Sequence, residues 1–239
     1  MTSLPTESAA DVRALGARIA VLPIGSFEQH GDHLPLATDS LIATLIAAEI
    51  SAAYGLLLLP PITISCSHEH TSVGPAVSLR ASTLYQLVND VARSLDRSGV
   101  PQLVLVNGHG GNYVLSNVVQ EANEHVRRMS LFPGRADWEL ARHEAGLATS
   151  QHDDMHAGEL ETSLLLHAHP ELVHPAYADA DRIVPERPHL LTIGIQGYSN
   201  TGVIGSPSLA TAQKGKLAAE SLVGSFASHL RVLTETTRS

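Results

Sequence analysis

Short apolar runs alternate with helical stripes along the first half of this chain, and that alternation admits few architectures. Ile19 to Ile24 is an unbroken apolar run stopped by Gly25, the pattern of a short buried strand. Leu41, Ile42, Leu45, Ile46 and Ile50 then recur at helical spacing behind Thr38 or Asp39 as the cap, and Gly55 ends the helix. Leu56 to Leu59 restarts as a strand closed by Pro60 and Pro61. Ser82 precedes a second stripe of Leu84, Leu87, Val88, Val91 and Leu95, stopped by Gly99, and Leu103 to Val106 returns to strand. Parallel strands need crossovers of this kind, so the expected fold is α/β, a largely parallel sheet with helices on both faces.

The second half is less regular. Residues 113 to 128 and 157 to 168 read as helices, and Leu217, Leu222, Phe226, Leu230 and Leu233 mark a long final helix over 210 to 233. The segment 133 to 152 reads as a short helix in a mobile flap over the site, and 170 to 208 is too rich in Pro, Gly and His for regular structure. No repeat or linker divides the chain, so residues 1–239 are expected to form one domain, with 1–18 loosely ordered or briefly helical.

Composition excludes several classes of function. At 239 residues and 44% hydrophobic, the chain buries a core without needing crosslinks. The net charge of -9 and the absence of any basic run, with Lys214 and Lys216 the only lysines, argue against nucleic acid or an anionic membrane as partner. A small molecule is expected instead. Cys66 is the single cysteine, which rules out an intrachain disulfide and a cysteine-based zinc site. Residues 1 to 18 lack the roughly 7- to 15-residue apolar core of a signal peptide, and no stretch reaches the roughly 20 apolar residues of a membrane span. A cytoplasmic protein is expected.

Three clusters of oxygen and nitrogen donors carry the chemistry. Glu28, His30 and Asp39 lie in a Gly- and Pro-punctuated loop after the first strand; Asn107-Gly108-His109-Gly110-Gly111-Asn112 follows another strand; and Asp153 to Ser163, with His156, Glu159 and Glu161, opens a helix. Paired divalent ions need a bridging carboxylate with His and carboxylate donors on either side, and Asp39 is placed to bridge. His156, Glu159 and Glu161 cannot share one narrow helical face, so His156 is assigned to the irregular entry. Each donor has an ordinary alternative: Asp39 as a helix cap, the Asn/Gly run as a plain turn, and His125, His143, His174, His189 and His229 as surface or capping residues. Together the clusters outweigh those alternatives. Ser67-His68-Glu69-His70 offers further ligands and reads first as a substrate-facing loop, with support of the ligands from behind as the alternative. A Cys66 nucleophile activated by His68 would leave the three clusters without purpose.

The runs Gly-Ser-x-Glu-Gln-His-Gly with Leu-Pro-Leu-x-Thr-Asp, Asn-Gly-His-Gly-Gly-Asn and His-Ala-Gly-Glu-x-Glu-Thr-Ser resemble the creatininase family of metal-dependent amidohydrolases, from about residue 19 to about 230. The resemblance implies a three-layer α/β/α sandwich carrying two divalent ions, zinc or manganese with iron as a further option. It implies Glu28, Asp39 and His109 for one ion and His30, Asp39 and Glu161 for the other. His156 matches the family's acid/base histidine and Asp153 a substrate- or water-facing acid. The implied reaction is cleavage of a C–N bond in a small, cyclic or formamide-type amide rather than an ordinary peptide bond, although some members trim modified peptides, in a homo-oligomer that reaches a hexamer in some members. The alternatives are hydrolysis of a non-amide bond on the same metals, or a non-catalytic metal- or ligand-binding protein of the same fold. Creatininases proper carry an aromatic and an acidic residue where this chain has Gly110 and Gly111, and a tryptophan where it has His152. Val73-Gly74-Pro75-Ala76 also replaces their usual Phe-Pro-Gly-Thr stretch. These departures point away from creatinine, and the two glycines are expected to leave room for a larger amide.

Overall fold

The computed structural model describes residues 4–235. Four strands, β1 (Ile19–Ile24), β2 (Leu57–Leu58), β3 (Gln102–Asn107) and β4 (Met129–Phe132), form one sheet in the order β2-β1-β3-β4. Every pairing is parallel, with Ile24 opposite Asn107 at the carboxyl ends of the two central strands. The chain leaves β1 through helix α2 (Thr38–Tyr54) to the neighbour on one side, then crosses by α3 (Ala81–Arg97) to β3 on the other. The direction of winding therefore reverses between β1 and β3, and a crevice opens there beyond the strand ends.

Side-chain alternation explains the layering. Ile19 and Val21 of β1, with Val104, Val106 and Phe132, face a core shared with α2, α6 (Glu159–Ala168), α8 (Ala212–Thr234) and Ala141 of α5 (Arg135–Glu144). Ala20, Leu22, Ile24, Leu103 and Leu105 face the opposite core, closed by Leu84 and Val88 of α3 and Leu115 and Val118 of α4 (Val114–Ala122). Burying each such Leu or Val stabilises the fold by about 1.5–3 kcal/mol relative to exposure. The outcome is the expected three-layer sandwich. An exposed helix, α1 (Ala9–Leu15), precedes it, held by a reciprocal capping box between Ser8 and Asp11; part of the expected loose N-terminal segment, residues 1–3, lies outside the described residues.

Two expectations need correction. The helix read over 113 to 128 stops at Ala122, because the Asn123 side chain accepts from Arg128 N and Met129 N at 2.7 and 3.0 Å and so competes with the helical ladder. The chain released there makes β4, a strand absent from the sequence reading. The 133–152 segment is no flap over most of its length: α5 packs on α8, with Ala141 and Ala145 in the core. Among the described residues no helix is long and apolar enough to cross a membrane.

Candidate metal centre

Two glycines bring the first helical turn of α2 onto the strand ends. A Cβ on Gly25 would lie 2.2 Å from Ser40 N, and one on Gly108 would lie 2.4 Å from Asp39 O, so any other residue at either position would push α2 away from β1 and β3. Asp39 is consequently not a cap. It sits inside the first turn, with Ala37 as N-cap, and its carboxylate enters the crevice between the loops that follow the two strands.

There its two oxygens face two histidines. Oδ1 is 3.0 Å from His30 Nε2 and Oδ2 is 2.9 Å from His109 Nδ1, while Ser26 Oγ donates to Oδ2 at 2.7 Å. Glu28 Oε1 lies 3.3 Å from His109 Nδ1, and Glu161 Oε2 lies 3.9 Å from His30 Nε2. Two triads result, Glu28–Asp39–His109 and His30–Asp39–Glu161, each with its donor atoms within 4.8 Å of one another and with Asp39 common to both. The five residues named as ligands are thus brought to one place.

His156 joins them from the irregular entry to α6. Its backbone is pinned to Ile204 by a two-way bridge, with Ile204 N donating to His156 O and His156 N to Ile204 O. His156 Nε2 donates to Gln29 O at 2.7 Å, which leaves Nδ1 as the acceptor facing Glu28 Oε1 at 3.9 Å. Ala157, next in the chain, takes a left-handed backbone at φ 53, unusual for a residue with a Cβ. Its N–H donates to Glu161 Oε2 at 2.6 Å, tying the entry turn to the helix.

Asp153 does not reach the cluster. Its carboxylate accepts from Ser150 Oγ at 2.6 Å in a half-buried turn, apart from the two donor triads. The neighbouring Asp154 is the buried one. It pairs with Arg142 Nη2 at 3.0 Å and accepts from the N–H groups of Glu159 and Leu160, closing the N-terminus of α6. Glu159 turns away to Lys214 and the 148–149 backbone. Of the histidines read as bland, His125 is exposed and His174 caps a turn, whereas His229 is a structural link between Asp137 and Ser130.

Two further participants come from the Ser-His-Glu-His run, which reads from the sequence first as a substrate-facing loop and second as ligand support. His70 is buried with Nε2 3.2 Å from Glu28 Oε1, and Glu69 Oε1 lies 3.4 Å from His109 Nε2. Their signal was present in the Ser-His-Glu-His run, but nothing in spacing alone says that this loop folds back over the strand ends. Cys66 enters through its backbone, where its carbonyl accepts from His109 Nε2 at 2.7 Å. Burial pushes its thiol pKa up, away from nucleophilic use.

The electrostatics describe a site short of positive charge. Burial, reinforced by Asp39, pushes the Glu28 carboxyl up to about 7 against the pull of His109, and burial likewise takes Glu161 to about 7. Burial disfavours charge on His30, yet the adjoining Asp39 carboxylate overrides it and raises this imidazole to about 9. His156 is held neutral, first by burial and then by the His30 and His70 rings. Neither oxygen of Glu28, which is fully buried, accepts a hydrogen bond of normal geometry. Such orphaned carboxylate oxygens beside neutralisable imidazoles are the environment a divalent cation satisfies, and the all-N,O donor set suits zinc, manganese or iron.

The cluster opens on an inner cavity of about 110 Å³ bounded by Asp39, His70, His109, His156 and Glu161. Glu69, Gly111, Tyr113 and Leu190 line both this cavity and an outer groove of about 440 Å³ that runs along Leu191 and Ile193 of the short helix α7 (Leu190–Ile193). The two glycines after His109 do not act alike. A Cβ at Gly110 would meet nothing within 4 Å, whereas the space at Gly111 is taken by the Glu69 carboxylate, so only one of them leaves room for substrate.

Comparison with known proteins agrees with the motif resemblance. The family model described as creatininase, creatinine amidohydrolase, matches residues 6–230. A mycofactocin precursor peptide peptidase from Mycobacterium ulcerans is 36% identical over 208 residues, covering 82% of this chain and 78% of that protein. A creatinine amidohydrolase from Pseudomonas putida is 28% identical over 243 residues, covering 91% and 90%. The structure of a manganese creatininase superimposes with a TM-score of 0.80 over 95% of this chain and 96% of that one at 24% identity, a likeness of fold. With a family match along nearly its whole length and a peptidase relative above 30% identity, this chain belongs to the creatininase family.

Proposed function

We propose that the chain is a dinuclear metal-dependent hydrolase of an amide C–N bond. The observation that carries this reading is the placement of the two Asp39 oxygens, one toward His30 and one toward His109, at the centre of two donor triads. Glu28, Asp39 and His109 would hold one ion and His30, Asp39 and Glu161 the other. When bound, two such ions supply Lewis-acid polarisation of a carbonyl and a lowered pKa for the attacking water. His156 serves as the proton carrier: it borders the inner cavity with Nδ1 3.9 Å from Glu28 Oε1, the bond to Gln29 O fixes its tautomer, and its unprotonated Nδ1 is the atom that takes up a proton and passes it to the leaving nitrogen.

The substrate is a small amide seated in the inner cavity with its leaving group directed into the outer groove. That groove, at about 440 Å³, exceeds the needs of a simple lactam and favours a second reading, in which the amide is the peptide bond near one end of an extended chain. The peptidase relative supports the second reading and the amidohydrolase relative the first. Metal-loaded protein assayed against creatinine, lactams, formamides and short peptides separates them. Chelator-sensitive release of an amine supports the hydrolase; metal uptake with no turnover across the panel would make the chain a binding protein instead.

A further inference from the structure

Glu69 stands where the chain has left a side chain out. A Cβ on Gly111 would fall 2.0 Å from Glu69 Oε1 and 2.4 Å from His109 Nε2, so the carboxylate and the imidazole edge already fill the volume that any other residue at 111 would claim. The glycine is room for Glu69. On the opposite edge of the same ring, Nδ1 faces Asp39 Oδ2 and Glu28 Oε1 at 2.9 and 3.3 Å. With Nδ1 turned to the cluster, Nε2 carries the proton and has two acceptors, Cys66 O at 2.7 Å and Glu69 Oε1 at 3.4 Å.

The two acceptors differ in kind. The Cys66 carbonyl is fixed by the backbone, whose preceding N–H is itself bound to Asn112 Oδ1 at 3.1 Å, so it sets the plane of the ring. The carboxylate adds a full negative charge beside the N–H, which raises electron density at the far nitrogen, the one offered to the cluster. Glu69 is also mostly buried, with 19% of its side chain exposed, and it borders both the inner cavity and the outer groove. A packing residue at this neck would not need a charge.

We propose that Glu69 is a positioning residue of the hydrolytic site, its carboxylate locking the His109 ring with Nδ1 toward Glu28 and Asp39 and strengthening that nitrogen as a ligand. The proposal rests on the dinuclear reading given above. Three full-length variants test it, Glu69→Gln, Glu69→Asp and Glu69→Ala, each with its fold checked by circular dichroism. Manganese titration of the metal-free protein is measured beside kcat and KM on the best amide. Glu69→Gln should weaken one of the two ions by about 10- to 100-fold and leave the other near wild type. Its kcat should fall while KM stays close to normal. Glu69→Asp, which keeps the charge at shorter reach, should fall between wild type and Glu69→Gln, and formate should restore part of the kcat lost in Glu69→Ala.

Glu69→Gln with wild-type ion affinities and kcat would overturn the assignment. So would impairment confined to Glu69→Ala and unrelieved by formate, since volume rather than charge would then be what matters. A wild-type chain that takes up no ion overturns the dinuclear reading and this inference with it; a wild type that binds two ions while the variants match it overturns this inference alone.

Discussion

The candidate site has two halves built by different means. Glu28, His30, Asp39 and His109 hang from the ends of β1 and β3 or from the first turn of α2, and steric contact fixes them: Gly25 and Gly108 let the helix backbone touch the strand ends. Glu69, His70, His156 and Glu161 arrive on loops and on the entry to α6, held by hydrogen bonds to partners far along the chain, such as Gln29 O and Ile204 for His156. The first half is set by the sheet itself. The second is a separate assembly laid over it, with the Arg142–Asp154 pair as its brace. The Glu28–Asp39–His109 triad is thereby separated from placement of the proposed proton carrier, whereas the other triad draws Glu161 from the second half.

The sharpest break is Asp39→Ala, because Asp39 belongs to both triads. Uptake of both ions should weaken by more than the 10- to 100-fold typical of outer partners, to more than about 100-fold, and turnover should disappear. Metal analysis after dialysis against zinc or manganese checks this, and retention of two ions would show that the sheet-borne half does not depend on its bridge.

His156→Ala acts on the other half. Metal content should stay at the wild-type level while kcat falls about 10²- to 10⁴-fold, both measured on one preparation. Loss of an ion would instead enrol His156 as a ligand, an outcome the compact group of Glu28, His30 and His156 makes a fair challenge.

Asp154→Ala removes the brace without touching a donor. It leaves Arg142 buried and unpaired and uncaps α6, at a cost of about 3–5 kcal/mol. Thermal denaturation should register that loss. Ion affinity at the Glu28–Asp39–His109 triad should nevertheless persist at a temperature where the variant is folded; its collapse would mean the halves are one unit.

The smallest effect is in pH. His30 is raised to about 9 and His109 lies well above the ordinary histidine value, so the native state binds protons that the unfolded chain releases above about 6.5. Their contribution is complete below that value and is lost as pH rises through the folded pKa. His70 and His156, lowered by burial, are already neutral in this window and do not oppose the trend. The metal-free protein should therefore melt at progressively lower temperature from pH 7 to pH 9. Zinc or manganese should flatten that slope, and an unchanged slope with metal present would place the ions elsewhere.

The sheet-borne half was legible in the sequence because its signals are local. Apolar runs stopped by nearby glycines gave β1 and β3; Glu28, His30 and His109 follow soon after them, and Asp39 lies in the first turn of the helix whose apolar stripe is also visible. His156 and Glu161 could be named only through a motif, since the bond to Gln29 spans 127 residues and leaves no periodic trace. Asp153 was named through the motif, by its place three residues before His156, and nothing in that spacing shows that its neighbour Asp154 is the acid the fold buries. The strand β4 was hidden by a helical pattern that one asparagine interrupts, and Glu69 by a glycine whose meaning is the side chain that occupies its space.

The two unsatisfied oxygens of Glu28 have a consequence for how long the protein lasts. A chain folded around a buried carboxylate with no hydrogen bond to either oxygen is less stable than its core alone would make it, and a cation entering beside it offsets that cost. Free metal at 100 times its dissociation constant stabilises a single site by about 2.7 kcal/mol, and a scarce one hardly at all. With ions held as proposed, the population of unfolded, protease-sensitive chains would follow the supply of the ion, and the surviving amount of this protein would gauge it.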